Sequence, residues 1–223
     1  MTSLRFSPTS LRSDDHVVST ILKRPRGAIA LYVLAHGAGA GMQHPFMESM
    51  ARELAARRIA TLRFNFPYTE AGKKRPDAPK LLAATIRAAV AAARRSKLPL
   101  LVGGKSMGGR ITSECVAREE LPDALGLIFL GFPLHPANRP DTVRGKHLAE
   151  IGVPMLFLQG TRDALAAPAL LRPFVARLPH ATLHEIPDGD HSFAVPKRTG
   201  RTPEDVHAEL ADTILAFVQR VIR

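Results

Sequence analysis

An α/β fold, with a mostly parallel central sheet covered by helices on both faces, is predicted by two features of the chain. Continuous apolar runs alternate with stretches whose apolar residues recur at helical spacing, and the connections between them are short. The runs also end abruptly in glycines and polar residues, as strands buried on both faces do where they leave the sheet.

Taken in order, residues 4–7 and 16–22 are two short extended segments, the second rich in β-branched residues, and they suit an antiparallel edge within residues 1–28. Residues 28–35 form an apolar run that ends in His36-Gly37-Ala38-Gly39-Ala40-Gly41, where three glycines let backbone pass close and turn its amides outward. Pro45 opens a helix with Phe46, Met50 and Leu54 on one face. A strand follows at 59–64, then a proline-, glycine- and lysine-containing segment, 65–79, which reads as the loop rim of a site. The alanine-rich stretch 81–93 is helical, with Leu82, Ile86 and Val90 aligned.

The apolar run 98–102 enters Gly104-Lys105-Ser106-Met107-Gly108, and residues 111–119 continue as a helix whose inner face carries Ile111 and Cys115, the latter a small core residue. Strands are expected around 127–130, at 153–158 and at 181–186, with helices at 142–151 and 168–178. The interval between the first two of these strands leaves room for one short helix and no large lid. Thr202 as N-cap, Pro203 in the first turn and the stripe Val206, Leu210, Ile214, Phe217 and Val221 mark a last helix. The sum is about six alternating strands after an antiparallel pair, within one domain spanning residues 1–223.

A chain of 223 residues with 45% hydrophobic and 23% charged residues can bury a core without needing disulfides. No apolar run reaches the length of a membrane helix, the first sixteen residues lack a secretory pattern, and the single cysteine cannot form an internal bridge; a cytoplasmic protein with no membrane association is expected. The net charge of +11 is scattered, without aromatic interleaving, so no specific nucleic-acid binding is expected. No H-E-x-x-H or comparable spacing supports a metal, and no cofactor is implied. Pro99 stands where a phosphate-binding loop ending in Gly104-Lys105-Ser106 would need its first glycine.

The polar residues that follow strands are few: His36, Ser106, His135, Asp163 and His191. A serine hydroxyl needs a base within hydrogen-bond reach and a third group to orient that base. Ser106, Asp163 and His191 supply these parts in the chain order of α/β-hydrolases, and Ser106 lies at the apex of a G-x-S-x-G turn between strand and helix. The amide of Met107, in the first helical turn, lacks an intrahelical acceptor and faces the same space. Neighbouring side chains diverge, so Asp190 is a poor orienting acid beside His191, and Asp188 is the second choice. Lys105 and Arg110 are expected in structural or solvated roles.

From about residue 28 onward the chain resembles the α/β-hydrolase superfamily. Within it, the chain resembles the small, lid-poor group related to dienelactone hydrolases and, more closely, the KANSL/testis-expressed-type hydrolase-like proteins. The closer likeness lies in His36-Gly37-Ala38-Gly39-Ala40-Gly41, Gly104-Lys105-Ser106-Met107-Gly108-Gly109-Arg110, Gly131-Phe132-Pro133-Leu134-His135-Pro136 and Gly189-Asp190-His191-Ser192-Phe193. It implies a nucleophilic Ser106, a base His191 and an orienting Asp163, with the amides of Met107 and Ala38 as oxyanion donors and Gly39 as the alternative to Ala38. His36, Gly39, His44 and His135 are pocket candidates, His36 also as a support of the glycine loop. Pocket walls are expected from 65–79 and 134–142. Dienelactone hydrolases carry a cysteine where Ser106 stands, so their substrate does not transfer. The implied function is a serine hydrolase acting on a small or medium ester or thioester, as a monomer or homodimer; the alternative is a non-catalytic binding or scaffold protein.

Overall fold

The computed structural model describes residues 9–13 and 16–223. Its eight strands form one sheet: β1 Thr9–Ser13, β2 His16–Lys23, β3 Ala30–Ala35, β4 Ile59–Phe64, β5 Leu100–Lys105, β6 Ala124–Leu130, β7 Met155–Gly160 and β8 Ala181–Ile186. The spatial order is β1-β2-β4-β3-β5-β6-β7-β8. Strands β3 to β8 run parallel, while β1 and β2 extend the edge antiparallel. The edge pair is therefore present, but β1 is Thr9–Ser13, a segment the apolar pattern does not mark; residues 4–7 lie outside the described residues.

Side chains alternate across this sheet, and both faces are covered, which is why the inner strands read as unbroken apolar runs. On one face Val33, Phe64, Val102, Phe129 and Phe157 pack beneath α3 (Pro79–Ala93), α4 (Met107–Ala117) and α5 (Pro168–Val175). On the other, Tyr32, Leu34, Leu101, Ile128 and Leu156 meet α1 (Pro45–Ala56) and α6 (Pro203–Val221). The phenol of Tyr32, wholly buried, donates to the Ile128 carbonyl at 2.9 Å.

Local chemistry fixes the helix ends. Proline occupies the first turn of α1, α3, α5 and α6, where its missing N–H costs nothing. A capping box between Thr202 and Asp205 closes the start of α6. Helix α4 begins at Met107, four residues before the periodicity becomes visible, because Gly108 and Gly109 carry no side chain to mark it. Helix α5 stops at Val175, short of residue 178, two residues past an internal Pro173 that lacks a backbone donor. Between β6 and β7 the described chain makes only a 3₁₀ stretch, Val143–Glu150, and no lid.

The segment 65–79 differs from the expected loop rim. It contains a short helix, α2 (Pro67–Glu70), and buries Phe66 and Tyr68 in the core. The segment is tied down: the Glu70 side chain accepts from the Ser19 amide of β2 at 2.7 Å, and the Asp77 side chain accepts from the Tyr68 amide at 2.8 Å. Among the described residues, no helix is long and apolar enough to cross a membrane.

Candidate active site

The strand order reverses at β3, whose neighbours β4 and β5 lie on opposite sides, and a crevice forms at the carboxyl ends of strands where this happens. Two backbone features fill that crevice. The loop after β3 carries residues 36–44, and β5 turns into α4 through Ser106.

Ser106 has φ 50° and ψ −117°, a conformation that L side chains rarely adopt. Glycines make the turn possible through close approach. A β-carbon on Gly104 would stand 2.2 Å from the Ala35 carbonyl oxygen, and one on Gly108 would stand 2.6 Å from the carbonyl oxygens of Ala35 and His36. The turn therefore sits directly against the end of β3, and no larger residue fits at either position.

The turn aims the Ser106 hydroxyl at His191, from the loop after β8. Oγ lies 2.8 Å from Nε2, and the opposite ring nitrogen, Nδ1, lies 2.7 Å from Oδ2 of Asp163, beyond β7. A carboxylate only accepts, so Nδ1 carries the proton and Nε2 is left to accept from the serine. The Asp163 side chain is wholly buried. It also accepts from the Leu165 amide at 2.8 Å and from the Gln159 side-chain amide. Gln159 in turn accepts from the Phe132 amide at 2.9 Å, joining the ends of β6 and β7 beneath the carboxylate.

A cleft of about 340 Å³ opens over this group, lined by Gly37, Ala38, Ala40, His44, Phe46, Met47, Lys105, Ser106, Leu165, His191 and Ser192. Met107 is the first residue of α4, where an amide has no acceptor one turn back. Ala38 lines the cleft, whereas Gly39 serves the turn, with φ +71°, and is not part of the lining.

The four pocket candidates divide. His44 lines the cleft and also caps α1, accepting from the Phe46 amide at 3.3 Å. His36 does not line it. Fully buried below the glycine loop, it donates from Nδ1 to the Gly37 carbonyl at 2.8 Å and accepts at Nε2 from the Phe66 amide at 3.2 Å. Burial pushes its pKa down to about 4, so it remains a neutral clamp between the loop and residue 66. His135 is likewise spent on backbone, accepting from the Ala167 amide at 3.0 Å and donating to the Pro136 carbonyl at 2.9 Å. The expected walls at 65–79 and 134–142 do not line the cleft, whose sides come from α1, the loop before it, Leu165 and the loop carrying His191; Phe66, Tyr68 and Leu134 are buried in the core instead.

Asp190 and Asp188 serve other ends. Asp190 accepts from the amides of Ser192 and Ala194, shaping the loop that carries His191, and Asp188 pairs with Arg198 at 2.9 Å. Arg110 pairs with Glu114 along α4.

A model described as an alpha/beta hydrolase domain matches residues 28–219. The chain belongs to the alpha/beta hydrolase family. Solved structures of similar architecture include a dienelactone hydrolase from Anabaena variabilis (TM-score 0.77, 18% identity, covering 99% of each chain). A serine hydrolase without lid from Xanthomonas campestris matches with a TM-score of 0.69 and 20% identity over 100% of this chain and 96% of its own. Est1E from Butyrivibrio proteoclasticus, solved with ferulic acid bound, matches with a TM-score of 0.73 and 17% identity over 93% and 98%. At such identities the likeness carries the alpha/beta hydrolase fold alone.

Proposed function

We propose that this alpha/beta hydrolase is a serine hydrolase of esterase type, cleaving small or medium esters or thioesters. The observation that carries the reading is the run of two hydrogen bonds from the Ser106 hydroxyl through His191 to the buried carboxylate of Asp163. Serine alone is a weak nucleophile near neutral pH, and this arrangement supplies the base and its orienter.

In the proposed reaction, Ser106 Oγ attacks the acyl carbonyl carbon while its proton passes to Nε2 of His191. Asp163 holds the ring and stabilises the imidazolium. The carbonyl oxygen, now an oxyanion, accepts from the amides of Met107 and Ala38. Collapse breaks the bond to the leaving alcohol or thiol, which takes the proton from Nε2. Water then attacks the acyl-serine carbonyl carbon and gives one proton to Nε2 of His191; collapse breaks the bond to Oγ, which takes that proton from Nε2, so the carboxylic acid leaves and Ser106 is restored. The apolar side chains of Phe46, Met47 and Leu165 would cradle the acyl or leaving group in the cleft.

The test is covalent labelling with a fluorophosphonate together with turnover of p-nitrophenyl acetate and butyrate. Wild type should label at Ser106, and Ser106→Ala should lose labelling and at least about 10³-fold in turnover with its fold intact by circular dichroism. Failure of the wild type to label overturns the proposal.

A further inference from the structure

We infer that Lys105 is a positioning residue, whose ammonium ties the loop carrying His191 to the strand carrying Ser106 and so sets the distance between them. The inference rests on the catalytic reading above and adds a component that reading does not use.

The Lys105 side chain leaves the end of β5 one residue before Ser106. Its Nζ donates to the backbone carbonyl of His191 at 2.6 Å and stands 5.5 Å from the centre of the Phe193 ring. Nucleophile and base are thus cross-linked twice: once by the bond between their own side chains, and once from the residue preceding the serine to the backbone of the histidine itself. The space is fitted to the ammonium, since a β-carbon on Gly131 would stand 3.0 Å from Nζ.

The loop needs such a tie. It holds two non-glycine residues in left-handed conformation, Asp188 at φ 58° and Phe193 at φ 64°, and conformations of this kind persist only where surrounding contacts impose them. Asp190 fixes the far side through the amides of Ser192 and Ala194, and Phe193 stacks on Phe46 at 5.7 Å. Lys105 supplies the contact at His191.

The hydrogen bond is charge-assisted and weakens when the ammonium loses its proton. Burial lowers the Lys105 pKa to about 8, while Asp163 beyond β7 and Asp190 in the loop hold it up. The imidazole of His191 faces the same space, and the end of β6 presents Gly131. The tie should therefore hold at neutral pH and loosen as pH rises through about 8.

Wild type and Lys105→Met are compared in the rate of fluorophosphonate labelling at Ser106 from pH 6 to 10, in hydrogen exchange of peptides covering residues 187–194, and in Tm. The expected outcome is a wild-type labelling rate that falls on the alkaline side with a midpoint near 8. Lys105→Met should label about 10–100-fold more slowly at pH 7, without that alkaline limb, exchange faster across 187–194, and keep a Tm well above the labelling temperature, so that the loss is read on folded protein. In wild type itself, protection of 187–194 should fall relative to the core strands between pH 7 and 9, a measurement that needs no variant. Unchanged labelling rate and pH profile in Lys105→Met, or a loop whose protection ignores both the substitution and pH, overturns the inference. If wild-type Ser106 does not label at all, the hydrolase reading fails by itself, and the exchange data still decide whether Lys105 holds the loop.

Discussion

Ser106 pays for its exposure to the cleft with a strained backbone, a cost of about 1–3 kcal/mol for a non-glycine residue in such a conformation. The neighbours that impose it are backbone atoms of β3, which Gly104 and Gly108 allow to come within contact. The five-residue pattern around the serine makes this much legible, because glycine is what close backbone approach requires. Gln159 is different. It is the polar residue in the otherwise apolar strand β7, and that oddity was the available signal, but nothing in the sequence says that its amide would face Asp163 and its carbonyl oxygen the Phe132 amide. Replacing it by leucine leaves one buried donor and one carboxylate oxygen short of a partner, costing about 1–3 kcal/mol. Gln159→Leu should also slow Ser106 labelling roughly 10-fold at a temperature where the variant is fully folded, through loss of the Asp163 orientation. A variant that melts earlier yet labels at the wild-type rate would assign Gln159 to stability alone.

Among the elements, those with strong periodicity or capping chemistry are the ones that sequence reveals. Strand β4 and helix α6 coincide with their expected limits because β4 is bounded by a turn and α6 by Thr202 and Pro203. Segment 65–79 misleads for the opposite reason: its proline, glycine and lysine content resembles a rim, while Phe66 and Tyr68, which anchor it, fall at spacing too short to register as a helix. His36 supports the glycine loop through the Gly37 carbonyl, a role its place beside the loop suggests, but its second partner, the Phe66 amide, and the Ala167 amide that occupies His135 are hidden similarly, since both come from segments far away in the chain. The cap of α6 carries a prediction at this scale. Thr202 accepts from the Asp205 amide at 3.2 Å, and Asp205 accepts from the Thr202 amide at 2.8 Å, which lowers the Asp205 pKa. Thr202→Ala removes half the box and should cost about 1 kcal/mol, read as a lower Tm at pH 7 with Ser106 labelling unaltered, because α6 meets the face of the sheet away from α4. An unchanged Tm would mean that α6 is held by its packed stripe alone.

Across the whole molecule, burying histidines couples stability to pH. His36 lies fully inside, and its pKa falls to about 4 through burial, with His44 adding a smaller repulsion against the Gly37 carbonyl that favours charge. His147, bonded to Ser113 at 2.8 Å, also falls to about 4, through burial and then the nearby Arg110 and Arg118. In the unfolded chain each returns to about 6.5 and takes up protons more readily than in the fold. Between those two values the unfolded state binds more protons, so stability increases with pH. The contribution is whole above about pH 6.5 and is lost as pH falls toward 4. For His36 the loss is about 2 kcal/mol by pH 5, worth about 4–8 °C in Tm for a domain of this size. Ordinary carboxylates titrate mostly below that window, so a decline between pH 6.5 and 5 belongs to the histidines. Thermal unfolding at fixed ionic strength, stepped from pH 7.5 to 5, should trace that decline, and the clamp on the glycine loop should weaken with it, so that Ser106 labelling becomes more temperature-sensitive at pH 5 than at pH 7. A Tm that stays level across these steps would mean that His36 is not the neutral, buried link between the loop after β3 and the segment at residue 66.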